Sequence, residues 1–278
     1  MKLTDLRATF PPSIPFADSL VILSAISGIS KASLLAGYDI ALDEAKQNHL
    51  KHSLSDYVIG KPLPYILGEW EFYGLPFFVN PDVLIPRPET ELIIDEVLNW
   101  VSRTKPAELN IIDIGTGSGI IPITLAKNYP QANVWACDIS EQALKVAESN
   151  AVRHKVANKI IFKNMDLLQS DQLSQKTFTI LTANLPYIPT KTLTKLDIYE
   201  KEPTLALDGG QDGLDLIRKL IQQIASAQMS IKLILLEIEY RQGEVVHELA
   251  REAFGQTSIS IVKDLSGNDR LLKIENFS

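Results

Sequence analysis

The stretch Ala183-Asn184-Leu185-Pro186-Tyr187 sets a carboxamide, a proline-restricted turn and an aromatic ring side by side. It follows Phe178-Thr179-Ile180-Leu181-Thr182, which reads as a buried strand. An Asn at a strand end can hold a flat amino group. Its side-chain oxygen accepts one N–H, the carbonyl of Leu185 accepts the other, and Tyr187 stacks on the plane that carries the nitrogen. Pro186 keeps Leu185 extended and so aims that carbonyl. The chemistry this suits is alkylation of a poor nucleophile. Two acceptors on the hydrogens of a delocalised nitrogen favour pyramidal geometry and hold it in line with an incoming carbon. No strong base is needed, because the nitrogen becomes acidic as it is alkylated. Asn184, Leu185, Pro186 and Tyr187 are the candidate catalytic and acceptor-binding residues. Taken alone, the motif reads equally well as a proline-punctuated strand end with a core Tyr.

What lies upstream decides between the two. Ile111-Ile112-Asp113-Ile114-Gly115-Thr116-Gly117-Ser118-Gly119 joins an apolar run to a helical one, where a nucleotide-type ligand binds. The glycines let the backbone turn and approach a ligand, but their spacing is G-x-G-x-G rather than that of pyrophosphate binders. Asp113 would repel a pyrophosphate. It would welcome a ligand carrying an ammonium and a sulfonium, which describes S-adenosylmethionine (product S-adenosylhomocysteine). Asp138 lies 19 residues beyond Gly119, at the next strand end, as a ribose-hydroxyl acceptor should. Asp166 is expected to accept the adenine amino group while Leu167 packs on the ring. The candidate cofactor residues are Asp113, Gly115, Thr116, Gly117, Ser118, Gly119, Asp138, Asp166 and Leu167, with Asn184 at the shared edge.

The elements that must position these residues alternate. Strands are expected over 110–114, 133–137, 160–163, 177–183, 232–238, 258–264 and 270–275, with helices over 122–127, 141–154, 213–227 and 244–254 between them. This predicts an α/β fold: a Rossmann-like, doubly wound sheet, mostly parallel with an antiparallel C-terminal strand. Before it, residues 1–67 read as a small helical bundle. Asp43 caps one helix there, and a further helix from about Leu54 is stopped by Gly60. Residues 68–87 read as a β-hairpin linker, 69–73 against 75–79, leading into a helix over 92–101. The expected domains are thus 1–67, 68–87 and 88–278.

Bulk properties narrow the function class. The chain has 278 residues, 45% hydrophobic and 22% charged, as in a globular protein with a sizeable core. A net charge of −7 offers no broad basic field for a phosphate backbone, so no direct nucleic-acid substrate is expected. With one cysteine, Cys137, no intrachain disulfide can form, and a cytoplasmic setting fits. Neither a signal peptide nor a membrane span is expected. His49, His52, His154 and His247 lack metal-ligand spacing, so no metal is expected. Trp70, Trp100 and Trp135 read as packing residues, and monomer is the default state.

Taken together, these motifs resemble the protein-(glutamine-N5) methyltransferases that act on peptide chain release factors, the HemK/PrmC family. Five pieces carry the resemblance in order: Gly68–Gly74, Leu84–Glu91, Glu202–Gly213, Leu236–Gly243 and Lys263–Arg270. The resemblance implies that Gly115–Gly119, Asp138 and Leu167 contact S-adenosylmethionine. It implies that Asn184–Tyr187 hold the glutamine of a release factor's Gly-Gly-Gln loop, and that residues 1–67 dock another part of that substrate. The family usually has Asn-Pro-Pro-Tyr where this chain has Leu185 in second place. Since a backbone carbonyl acts there, Leu185→Pro is expected to leave activity equal or higher.

Asn-Leu-Pro-Tyr also resembles the motif of rRNA adenine-N6 dimethyltransferases, whose substrate presents the same planar donor pair. More than a hundred residues precede the glycine loop here, and the charge is acidic, which favours a protein substrate. A DNA adenine methyltransferase would need a recognition insert that the chain lacks. A catalytically inactive binding module is disfavoured by intact Asn184, Pro186 and Tyr187.

Overall fold

The structure, a computed structural model, describes residues 10–169, 173, 176–227, 231–255 and 257–275. The chain separates into two compact units, residues 1–69 and 70–278. In the first, helices run over Phe16–Ser27 (α1), Lys31–Leu35 (α2), Glu44–Val58 (α3) and Leu63–Leu67 (α4). The Ser30 and Asp43 side chains accept backbone N–H groups and cap α2 and α3. Where the sequence suggests two helices between Asp43 and Gly60, α3 is one helix, since no Gly or Pro interrupts it. Ile14, Ile22, Leu23, Leu34 and Leu50 form the buried centre of this unit.

Strands Glu69–Phe72 (β1) and Leu75–Phe78 (β2) come next. Tyr73 (φ 51°) and Gly74 (φ 69°) join them, the pair of positive φ values that a tight two-residue hairpin needs. Phe72 and Phe77 are buried against Ile93, Ile94 and Val97 of helix Glu91–Thr104 (α5). The hairpin expected as a linker therefore contributes to the core of the second unit.

Strands β3 (Asn110–Ile114), β4 (Asn133–Asp138), β5 (Ile160–Asn164), β6 (Ile180–Ala183), β7 (Leu233–Glu237), β8 (Ser258–Lys263) and β9 (Asp269–Glu275) form one sheet in the order β5-β4-β3-β6-β7-β9-β8. Strands β3 to β7 are parallel neighbours, and β9 runs antiparallel to both β7 and β8. Helices α6 (Ile120–Asn128), α7 (Glu141–Arg153), α9 (Asp215–Ser226) and α10 (Gly243–Phe254) cover the sheet, with the short α8 (Thr190–Leu193) after β6. The central strands β3, β6 and β7 are buried on both faces. Ile112, Leu181 and Ile234 meet α9, while Ile111, Ile180 and Leu233 join the core of α5 and α6. The expected strand over 177–183 is ordered as a strand only from Ile180.

The chain steps from β3 outward to β4 and β5, then returns to the other side of β3 with β6 and β7. This reversal leaves a crevice beyond the C-terminal ends of β3 and β6, the position where open α/β sheets bind ligands. Ile114 pairs with Ala183 and Ala183 with Leu236, so Gly115, Asn184 and Glu237 follow at one level.

Candidate active site

A cavity of about 310 Å³ opens at this crevice. Its lining includes Gly115, Thr116, Gly117, Ser118, Asp138, Asp166, Leu167, Asn184, Leu185 and Pro186. The fold thus brings both sequence motifs, far apart along the chain, to one cavity. Asp113, Gly119 and Tyr187, also expected at the site, do not line it.

The glycine loop is held from below. Gly115 and Thr116 N–H groups donate to the Cys137 carbonyl at 2.8 and 3.0 Å, tying the loop to the end of β4. Gly117 (φ 55°) faces open space, since a Cβ there would meet nothing within 4 Å. Gly119 (φ 84°) instead lies against α6 and α7, where a Cβ would stand 2.8 Å from Ile123 Cδ1 and 3.1 Å from Ala147 Cβ. The first gives a ligand room; the second lets the helices close.

Asp113 differs from its expected place. It is fully buried, and the hydroxyls of Thr116 and Thr182 (2.7 Å) donate to its two oxygens. Burial pushes its carboxyl up to about 7, the two hydroxyls oppose that rise, and Asp138 adds to it. Asp113 therefore braces the loop through Thr116 rather than facing a ligand.

The Asp138 carboxylate accepts from Gly117 N–H (2.8 Å) and Ser140 N–H (2.9 Å). Burial raises its pKa against those backbone bonds. Each oxygen keeps a lone pair, so the residue can still accept a ligand hydroxyl. Asp166 accepts from Lys219 Nζ at 2.6 Å. Leu167 is buried, with a strained positive φ of 52° that turns the chain across the cavity wall.

At the other wall, Asn184 Nδ2 donates to Thr90 Oγ1 at 3.0 Å, leaving the amide oxygen at the opposite end. Leu185 is only 3% exposed and joins the core beneath the cavity. Tyr187 is half-buried, and its hydroxyl donates to Glu237 Oε1 at 3.2 Å. Burial and the Glu237 charge raise the Tyr187 pKa, so the phenol stays protonated.

The segment after β6 is buttressed by backbone. Ile188 N–H donates to the Leu207 carbonyl and Gly209 N–H to the Ile188 carbonyl. A Cβ on Gly213 would stand 2.2 Å from the Tyr187 carbonyl oxygen, so only glycine fits under the turn. Gln242 Nε2 donates to that same carbonyl at 3.1 Å. Arg87, which lines the cavity, pairs with the buried Glu202, whose Oε2 also accepts Ile85 N–H at 3.0 Å.

Sequence reasoning passed over Thr90 and Glu237. Both lie inside stretches that carry the resemblance, without an assigned part. The signal for Glu237 was an acid closing the wholly apolar run Leu233-Ile234-Leu235-Leu236. Burial there demands a reason. Among the described residues no cluster has the make-up of a metal site, and no helix is long and apolar enough to cross a membrane.

A mostly parallel doubly wound sheet, with a glycine loop facing an Asn-x-Pro-Tyr turn at its switch point, defines a methyltransferase. The family model "Ribosomal protein L11 methyltransferase (PrmA)" matches residues 91–200. The chain is 38% identical over 265 residues to the release factor glutamine methyltransferase of Flavobacterium psychrophilum, covering 91% of this chain and 89% of that one. With the enzyme of the same name from Bacillus cereus it is 34% identical over 258 residues, covering 92% and 90%. The chain belongs to the release factor glutamine methyltransferase family. Among solved structures, the hMettl16 catalytic domain in complex with an RNA hairpin superimposes with a TM-score of 0.63 at 13% identity, covering 96% of this chain and 92% of that one. The N-terminal domain of human METTL16 in complex with SAH gives 0.56 at 13% identity, covering 98% of each. At that identity these likenesses speak for the fold alone.

Proposed function

We propose that this protein methylates the side-chain amide nitrogen of the glutamine in the Gly-Gly-Gln motif of a peptide chain release factor, in the cytoplasm, with S-adenosylmethionine as donor. The observation that carries the reading is the register of Ile114 with Ala183, which sets the glycine loop beside Asn184 in one cavity. Family membership supports the same substrate.

The cavity suits the donor. Gly117 leaves its space open, Asp138 keeps acceptor capacity, and Leu167 offers an apolar wall for a ring. Gly115, Thr116, Gly117, Ser118, Asp138, Asp166 and Leu167 would hold it, with Gly119 and Asp113 bracing the loop from behind. S-adenosylmethionine supplies an electrophilic methyl on a sulfonium. Asn184 Oδ1 and the Leu185 carbonyl each accept one N–H of the substrate amide and turn the nitrogen lone pair towards the donor. The methyl would pass from sulfur to the amide nitrogen, which would shed one proton to solvent. Tyr187, anchored on Glu237, holds the turn in place. The helical unit of residues 1–69 would dock a more distant part of the release factor.

The test is incubation of the purified protein with methyl-labelled donor and either release factor or ribosomal subunits. Label is expected on the release factor, at the Gly-Gly-Gln glutamine by peptide mass spectrometry. Label confined to rRNA, or absent from both substrates, would overturn the reading.

A further inference from the structure

One face of α9 serves the turn that carries Asp166 and Leu167. Leu216, Lys219 and Gln223 stand at i, i+3 and i+7, so they project on the same side of the helix. Leu216 lines the cavity. Lys219 Nζ donates to Asp166 Oδ2 at 2.6 Å, and Gln223 Oε1 accepts from Leu168 N–H at 3.0 Å. These two contacts grip the chain on either side of Leu167.

Leu167 needs such a grip. Its φ of 52° is costly for a residue with a Cβ. Backbone in that region persists where the surroundings over-determine it. The main chain supplies two bonds of its own. Gln169 N–H donates to the Asp166 carbonyl and Met165 N–H to the Asp138 carbonyl, each at 3.0 Å. Both fix the course of the turn, but neither orients the Asp166 side chain. Lys219 does that. The ion pair is partly exposed at both ends, so it adds little to stability, and its effect is one of direction. Among the described residues no second donor reaches this carboxylate, so Oδ1 remains to accept from a ligand. Asp166 and Leu167 both line the cavity.

We propose that Lys219 and Gln223 are positioning residues that give the donor site its preference for adenine. They hold the 166–168 turn with Asp166 Oδ1 set to accept the exocyclic amino group and Leu167 set against the ring. Hypoxanthine, with a carbonyl in place of that amino group, would set acceptor against acceptor and lose the bond. This rests on the donor reading above, and its test compares two ligands rather than turnover.

Calorimetry on the full chain would measure the Kd of S-adenosylhomocysteine and of S-inosylhomocysteine. Wild type should bind the adenine form at least about tenfold tighter. In Lys219→Met and in Gln223→Met the two Kd values should come within about threefold of each other, because the adenine form alone weakens. Tm should change little, since both side chains are partly exposed on α9. Equal weakening of both ligands would mean a merely structural part. Tighter binding of the adenine form by Lys219→Met would mean that the lysine competes with the base. Either result would overturn the proposal, as would a preference that survives in either variant or a wild type indifferent to the base. A wild type that binds neither ligand would overturn the donor reading itself, and this inference with it.

Discussion

Leu185 closes on Gly115: its Cδ2 lies 3.0 Å from where a Cβ on Gly115 would stand. The side chain that replaces the family's usual proline therefore wedges the acceptor turn against the cofactor loop. Gly115 is required there by that approach as well as by its φ of 74°. Leu185→Ala should cost about 2 kcal/mol or more in urea denaturation and weaken donor binding. Leu185→Pro, which looks harmless when only the backbone carbonyl is considered, should also lower the denaturation midpoint. A midpoint at the wild-type value would show that this contact contributes nothing.

Asn184→Ala removes the acceptor and leaves the donor-binding wall intact. The rate should fall by about 10²-fold or more, as for loss of one preorganised hydrogen-bonding group, with donor affinity nearly unchanged in calorimetry. Comparable losses in both would mean that Asn184 acts mainly on the donor.

Two glycines of one loop should fail differently. Gly119→Ala forces a Cβ between Ile123 and Ala147 at a positive φ, so it should destabilise by more than about 1 kcal/mol in thermal unfolding. Gly117→Ala meets no neighbour, so the fold should hold better while the new methyl takes ligand space. Its signature should be weakened donor binding, measured by calorimetry, with a smaller change in Tm.

Breaking the Arg87–Glu202 pair should strand a charge whose side chain is 3% exposed. Arg87→Ala is expected to cost about 3 kcal/mol and to free the 81–87 segment at the cavity mouth. Limited proteolysis within that segment should become faster. An unchanged digestion pattern would argue that the backbone bond from Ile85 alone keeps Glu202 in place.

Asp113 makes stability depend on pH in an unusual sense. Its folded pKa is raised from 3.8 to about 7, by burial first. Between those values the folded state binds more protons than the unfolded one, so this residue's contribution to stability falls as pH rises through the window. Asp113→Asn should flatten that part of the stability profile in denaturant titrations from pH 4 to pH 7. A slope equal to that of wild type would assign it to another group.

The amino-acid sequence by itself determined the succession of elements, the glycine loop and the Asn184–Tyr187 turn. These are local matters: the periodicity of apolar runs, the breaking power of Gly and Pro, and side-chain types at strand ends. Element boundaries held to within a few residues where a cap or an apolar run marked them, as at Asp43 and Asn110–Ile114. Tertiary structure alone decided which side chains meet. Asp113 looks like a ligand-facing acid in sequence, yet the neighbouring strand β6 brings Thr182 to cover it. Tyr187 looks like a stacking ring, yet β7 arrives with a carboxylate that turns its hydroxyl inward. Thr90 reaches Asn184 from 94 residues before it, and Glu237 reaches Tyr187 from 50 residues after it, through parallel pairing and the packing of α5. A chain read in order carries no record of such pairing, because register is set by neighbours that only the folded sheet brings together.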